Sequence, residues 1–227
     1  SFKNTRRNLE IATERKEMKF ESWFPTVIGL SQCPFIDEVQ PSYKKIVENY
    51  PVDDYGFINI PVHRKPKFKK LNNWITKEVN AFAKNHNFVF NYEPKESWIW
   101  DYKTGSFQEF HTHLGFTISA VFFLEGYQED SPLVFRSPMH NDIKNPLGTQ
   151  PHTCLNENLY NAFTFRKCSF PPLSGMLLVW RSYVEHKVDT KEGKGKRIVF
   201  AYNFDPDSAS QLKYERKLKA LEKNENK

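Results

Sequence analysis

His111-Thr-His113 places two imidazoles two residues apart; a third histidine follows at 186, and an arginine comes eleven residues later at 197. Side chains alternate along an extended strand, so His111 and His113 would share one face and lie close enough to hold one ion. His186 sits in Trp180-Arg-Ser-Tyr-Val-Glu-His-Lys-Val188, just after the apolar run Met176–Trp180, and Arg197 opens Ile198-Val-Phe-Ala-Tyr. If those two strands are neighbours, His186 can face the pair while Arg197 reaches the same cavity. A buried guanidinium needs an anion, and its planar fork suits a carboxylate. The chemistry implied is that of a metal that holds a small dicarboxylate. Glu109 shares the strand parity of the two histidines and offers a carboxylate ligand, while three imidazoles alone would also suit zinc and a hydrolytic or inert site. His63, His86, His140 and His152 stand alone and read as structural or surface residues.

No other catalytic arrangement competes. Ser-His-Asp, Cys-His and paired-carboxylate patterns are missing from the sequence, and Cys33, Cys154 and Cys168 show neither CxxC nor CxxH spacing. Three unpaired thiols fit a reducing cytoplasm better than a disulfide framework. The N-terminus lacks the apolar stretch of a signal peptide and no apolar run is long enough to span a membrane, so a cytoplasmic, unsecreted protein is expected. The formal charge of +6 lies mostly at the ends: residues 1–17 carry five Lys/Arg against three Glu, and residues 209–227 carry six against three. Such fringes serve solubility more readily than polyanion binding, and no zinc finger, RNA-binding signature or phosphate loop argues otherwise.

The elements that must position these residues follow from periodicity. Of the 227 residues 39% are hydrophobic, and 20 Phe, 10 Tyr and 5 Trp supply an aromatic core for one domain. After a charged N-terminal extension at 1–17, a first strand is expected from Phe20 to Ile28. Apolar residues at helical intervals predict amphipathic helices over 36–50 and 67–85. Beyond residue 95 short apolar or alternating runs predict strands near 97–103, 107–113, 117–125, 132–136, 160–166, 175–180, 184–188 and 196–204. A long loop at 137–158 could cover a site, and a basic helix occupies 208–227. The class is mainly β (α+β), a sandwich or barrel buttressed by two helices.

Tyr102-x-x-Gly105, then five residues and His111-x-His113, resembles the Tyr-x-x-Gly-(five)-His-x-Asp block of the prolyl-hydroxylase-like branch of the 2-oxoglutarate and iron(II) dependent oxygenases. His186-x-Val188 followed by Gly195-Lys-Arg197 resembles that branch's distal histidine and cosubstrate-binding basic residue. Phe24-Pro-Thr-Val-Ile, Ile118-Ser-Ala-Val-Phe-Phe-Leu and Leu133-Val-Phe-Arg-Ser-Pro138 further resemble poorly characterised oxygenases frequent in phages and marine bacteria. The resemblance spans about residues 18–205. It implies a double-stranded β-helix (jelly-roll, cupin-like) domain over 18–207 that uses Fe(II), 2-oxoglutarate and O2 and admits ascorbate as a reductant. His111 and His186 would be iron ligands, with Arg197 and Tyr102 holding the cosubstrate's distal carboxylate. Trp98 and Trp100 share the parity of Tyr102 and would wall the pocket or fill the core.

His113 departs from the pattern, standing where the family usually has a carboxylate. Two histidines and one carboxylate leave three positions open around iron. A third neutral imidazole leaves the same openings with one more positive charge, which favours a dianionic cosubstrate and makes iron harder to oxidise. Against zinc hydrolysis, an arginine at the cosubstrate position would have no purpose. The expected function is a dioxygenase that hydroxylates a C–H bond of a small molecule or protein side chain, with His111, His113 and His186 as metal ligands. The alternatives are a non-catalytic metal- or ligand-binding barrel and, encouraged only by the basic tails, a nucleic-acid or nucleobase oxygenase.

Overall fold

The computed structural model describes residues 25–47, 50–138 and 166–225. The expected extension at 1–17 and nearly all of the loop at 137–158 lie outside them. Among the described residues ten strands and three α-helices follow one another as β1 (Ile28–Gln32), α1 (Ile36–Val47), β2 (Phe57–Ile58), α2 (Lys69–Asn85), β3 (Tyr92–Asp101), β4 (Gln108–His111), β5 (Ile118–Glu125), β6 (Leu133–Arg136), β7 (Lys167–Phe170), β8 (Met176–Arg181), β9 (His186–Val188), β10 (Ile198–Pro206) and α3 (Ser208–Glu225). Every ladder is antiparallel, in a six-stranded sheet ordered β1-β8-β5-β10-β3-β2 and a four-stranded sheet ordered β4-β9-β6-β7.

The central strands of the larger sheet read as unbroken apolar runs because both of their faces are covered. On β5, Ile118, Ala120, Phe122 and Leu124 join the core under α1 and α2, while Val121 and Phe123 face the smaller sheet. β10 divides in the same way, Phe200 and Tyr202 to the helices and Val199 and Ala201 to the inter-sheet space. Leu71, Ile75, Val79 and Phe82 form the buried stripe of α2, so the two expected helices do buttress one sheet. By contrast, α3 leaves Leu212, Leu218 and Leu221 exposed.

Among the described residues the first strand begins at Ile28, where the expected one ends; residues 25–27 carry no regular structure and 20–24 lie outside the described residues. Residues 160–165 of the strand expected at 160–166 also lie outside them, and β6 is flanked by β7 and β9. The two-residue β2, paired to Ile99 and Trp100, is too short to produce any periodicity.

Candidate metal centre

β4 and β9 lie side by side with His111 directly opposite His186. Between Gln108 and His111 the register slips, because three steps along β4 match two along β9. That β-bulge re-aims the side chains that follow it. Gln108 therefore joins His111 in lining the inter-sheet cavity, while Glu109 is exposed and stands outside the histidine group. The parity that paired Glu109 with His111 holds only for an uninterrupted strand. His113 likewise lies past the end of β4, in a turn at which Phe116 N–H returns to the His113 carbonyl (3.2 Å) and Gly115 adopts φ +108°. Its own N–H donates to the Ser182 carbonyl (3.0 Å), which ties the turn to the end of β8.

One ligand nitrogen from each of His111, His113 and His186 lies within 4.8 Å of the others. His111 Nδ1 is 2.7 Å from the Glu109 carbonyl and His186 Nδ1 is 3.2 Å from the Val184 carbonyl. A carbonyl can only accept, so both rings carry their proton on Nδ1 and offer Nε2 as a lone-pair donor, the arrangement that orients metal-bound imidazoles. His113 is held instead by stacking, on Trp98 (5.7 Å between centroids, 19°) and on His186 (5.1 Å, 12°). Burial, reinforced by His111, lowers the pKa of His113 to about 4. Burial, reinforced by His111 and His113, lowers that of His186 to about 3. Both rings are therefore neutral near pH 7, as metal ligation requires.

Arg197 enters the same cavity from the start of β10. Strand parity puts it on the inner face with Val199 and Ala201, and its exposure is 0%. Its guanidinium carbon lies 4.7 Å from the centroid of the Tyr102 ring, Nη1 donates to the Ser131 carbonyl, and Nε has no hydrogen-bond partner among the described residues. Desolvation pulls the Arg197 pKa down, opposed by Tyr102 and then by Asp130 and Asp189. Burial drives the Tyr102 phenol up, so it stays protonated and able to donate. The cavity holds about 300 Å³; of the two roles open to Trp98 and Trp100, pocket wall or core, both residues line it, and Trp100 stacks on Tyr102 (5.5 Å, 27°).

Polar residues that the sequence reading passed over complete the walls. Ser119 lines the cavity; its hydroxyl donates to Asn203 Oδ1 (2.9 Å) and lies 2.8 Å from that of Ser182. With its only proton given to Asn203, Ser119 accepts from Ser182. The signal lay in parity, since Ser119 and Asn203 interrupt the apolar inner faces of β5 and β10. The residues brought together therefore include all three histidines, Arg197 and Tyr102, with Gln108 in place of Glu109.

Residues 96–203 match the family described as "Putative 2OG-Fe(II) oxygenase". No curated protein matches the chain in sequence. Among solved structures, HygX from Streptomyces hygroscopicus, crystallised with nickel, 2-oxoglutarate and hygromycin B, is 16% identical over 89% of this chain and 88% of that one, with a TM-score of 0.56. AviO1 from Streptomyces viridochromogenes Tue57 is 12% identical over 82% and 91%, with a TM-score of 0.53. A prolyl-4-hydroxylase from Pseudomonas putida is 12% identical over 78% and 92%, with a TM-score of 0.52. Residues 96–203 are thus similar to a family of 2OG-Fe(II) oxygenases, and the chain shares the double-stranded β-helix fold of these solved structures.

Proposed function

We propose that the chain is an iron(II) and 2-oxoglutarate dependent dioxygenase that hydroxylates a C–H bond, with residues 18–207 as the catalytic domain. The observation that carries this reading is a buried arginine in the same cavity as three clustered imidazoles. The donor set fits a divalent metal: the ligand atoms lie within 4.8 Å of one another, and two rings have Nδ1 committed to backbone carbonyls. Bound iron(II) would supply the activation of O2, with 2-oxoglutarate going to succinate and carbon dioxide as the substrate C–H becomes C–OH. The chain's own part is binding, orientation and exclusion of water. Arg197 supplies the fixed positive charge for the distal carboxylate, Tyr102 adds a neutral donor beside it, and Trp98 and Trp100 give the cavity apolar walls, where such contacts are stronger than in open water.

Two structural neighbours bear on the substrate class. HygX was crystallised with hygromycin B, and the Pseudomonas putida protein is a prolyl-4-hydroxylase. A small molecule or a protein side chain is accordingly the substrate class we propose. The test is succinate formation with iron, ascorbate and candidate substrates; turnover dependent on 2-oxoglutarate supports the reading, whereas no succinate above background and no 2-oxoglutarate binding to the metal-loaded protein refutes it.

His113 favours a second reading, a non-catalytic barrel that retains metal and ligand but not turnover. His113→Asp separates the two: decarboxylation gained on substitution marks a decayed site, and decarboxylation lost marks three histidines as the working set.

A further inference from the structure

The inner face of the larger sheet turns polar at one level. There Ser119 on β5 is register-paired with Trp180 on β8 and with Asn203 on β10, and Asn203 is paired in turn with Glu96 on β3. Ser119 and Trp180 are each 1% exposed and Asn203 is 2% exposed, whereas Glu96 is open to solvent. Ser119 and Trp180 line the cavity together with the three histidines, and the Trp180 ring lies 4.8 Å from that of His186. Arg197 precedes β10, and Val199 and Ala201 separate it from this level. The polar level therefore belongs to a different part of the cavity from the arginine.

The direction of every hydrogen bond at this level follows from its charged end. The Glu96 carboxylate can only accept, so Asn203 turns Nδ2 toward it (3.3 Å) and Oδ1 toward Ser119. Ser119 then commits its one proton to Asn203 Oδ1 (2.9 Å) and accepts from the buried Ser182 hydroxyl (2.8 Å). A hydroxyl oxygen has two lone pairs, so Ser119 keeps one acceptor position and no proton. Beside it, the indole Nε1 of Trp180 is a buried donor with no hydrogen-bond partner among the described residues. The cavity wall thus carries an unused acceptor and an unused donor on adjacent strands. A buried donor is costly to leave unpaired, which points to a ligand that completes it.

Building on the dioxygenase reading above, we infer that Ser119 and Trp180 form the subsite of the primary substrate and that this subsite takes a neutral hydroxyl group. A hydroxyl can donate to Ser119 Oγ and accept from Trp180 Nε1 at the same time. A ketone or an ether only accepts, and an ammonium only donates, so each leaves one partner unpaired. Trp98 and Ala201 line the same cavity and offer the attached carbon skeleton an apolar wall and room beside a small side chain. The substrate class is an alcohol. Ser119 and Trp180 are its specificity-determining residues, and Glu96 acts through Asn203 to keep Ser119 an acceptor.

Cyclohexanol and cyclohexanone, which share a ring size, test this without turnover. Each is titrated into the nickel(II)-loaded protein, with and without 2-oxoglutarate, and followed by proton NMR, because nickel broadens the resonances of a probe bound beside it. The parent should bind cyclohexanol about tenfold more tightly than cyclohexanone. Ser119→Ala should bring that ratio to about one, and Ser119→Thr, which keeps the hydroxyl, should retain it. Glu96→Lys sets a donor against Asn203, turns its amide round and frees the Ser119 proton for the cavity, so the preference should reverse by about tenfold in favour of cyclohexanone. Equal binding of the two probes by the parent, no broadening of either by bound nickel, or the parental ratio in Ser119→Ala overturns the inference. Should Ser119→Ala fail to fold, Glu96→Lys at its exposed position decides, and the parental ratio there overturns it. Failure of 2-oxoglutarate to bind defeats the cosubstrate reading alone, since the ratio is also read without it. Failure of nickel to bind defeats the metal reading, and saturation-transfer NMR then reads the same ratio.

Discussion

Three histidines in this chain differ in what holds them. His111 and His186 are fixed through Nδ1 to backbone carbonyls, whereas His113 is fixed by stacking and by its own N–H. The depressed pKa values of His113 (about 4) and His186 (about 3) give a signed prediction for the metal-free protein. Both folded values lie below the ordinary histidine value near 6.5, so the unfolded chain binds more protons between them. Their contribution to stability should be complete above pH about 6.5 and lost as pH falls through about 4 and then 3, read by urea unfolding across that window. Stability independent of pH there would contradict the burial of these rings. Arg197→Gln should weaken 2-oxoglutarate binding by about tenfold to a hundredfold while leaving nickel binding within about twofold, measured by calorimetry. Loss of nickel binding instead would make Arg197 a fold residue rather than an anchor.

At the scale of elements, the bulge in β4 decides which of its side chains join the histidine cluster. Glu109→Ala should leave metal stoichiometry at one and affinity within about twofold, because Glu109 is exposed and outside the cluster. Deleting Glu109 removes the extra residue, restores a regular ladder and should abolish tight metal binding, measured by metal content after dialysis. A deletion that still binds one metal tightly would show that the bulge does not aim His111. The strands that bear the site were readable in advance, since β5, β8 and β10 are dense apolar runs and the parity of Tyr102 with Trp98 and Trp100 holds to the end of β3. The bulge was not readable, because its cause is a pairing with β9 some 75 residues away and leaves no local mark. Tyr127 lies against Gly193 and Gly195 in the connection that leads to Arg197, so Gly195→Ala should displace Tyr127 and weaken 2-oxoglutarate binding more than nickel binding.

For the whole molecule, the two cores divide the labour. The layer between helices and larger sheet is apolar and aromatic, with Phe200 in ring contact with Tyr43, Phe68 and Phe122; Phe200→Ala should cost about 3–5 kcal/mol in unfolding free energy. The inter-sheet layer gives up part of its packing to a cavity of about 300 Å³ that contains the histidines and Arg197. Ligands should therefore stabilise the fold in order: nickel(II) at a hundred times its dissociation constant should add about 2.7 kcal/mol, and 2-oxoglutarate should add more only when metal is present. The joint metal and cosubstrate centre is tested by anomalous diffraction from crystals grown anaerobically with nickel(II) and 2-oxoglutarate. One metal peak is expected, with His111, His113 and His186 nitrogens at roughly 2.0–2.1 Å, and the distal carboxylate of 2-oxoglutarate on Arg197. A metal that leaves His113 unbound, or a carboxylate that bypasses Arg197, would contradict it.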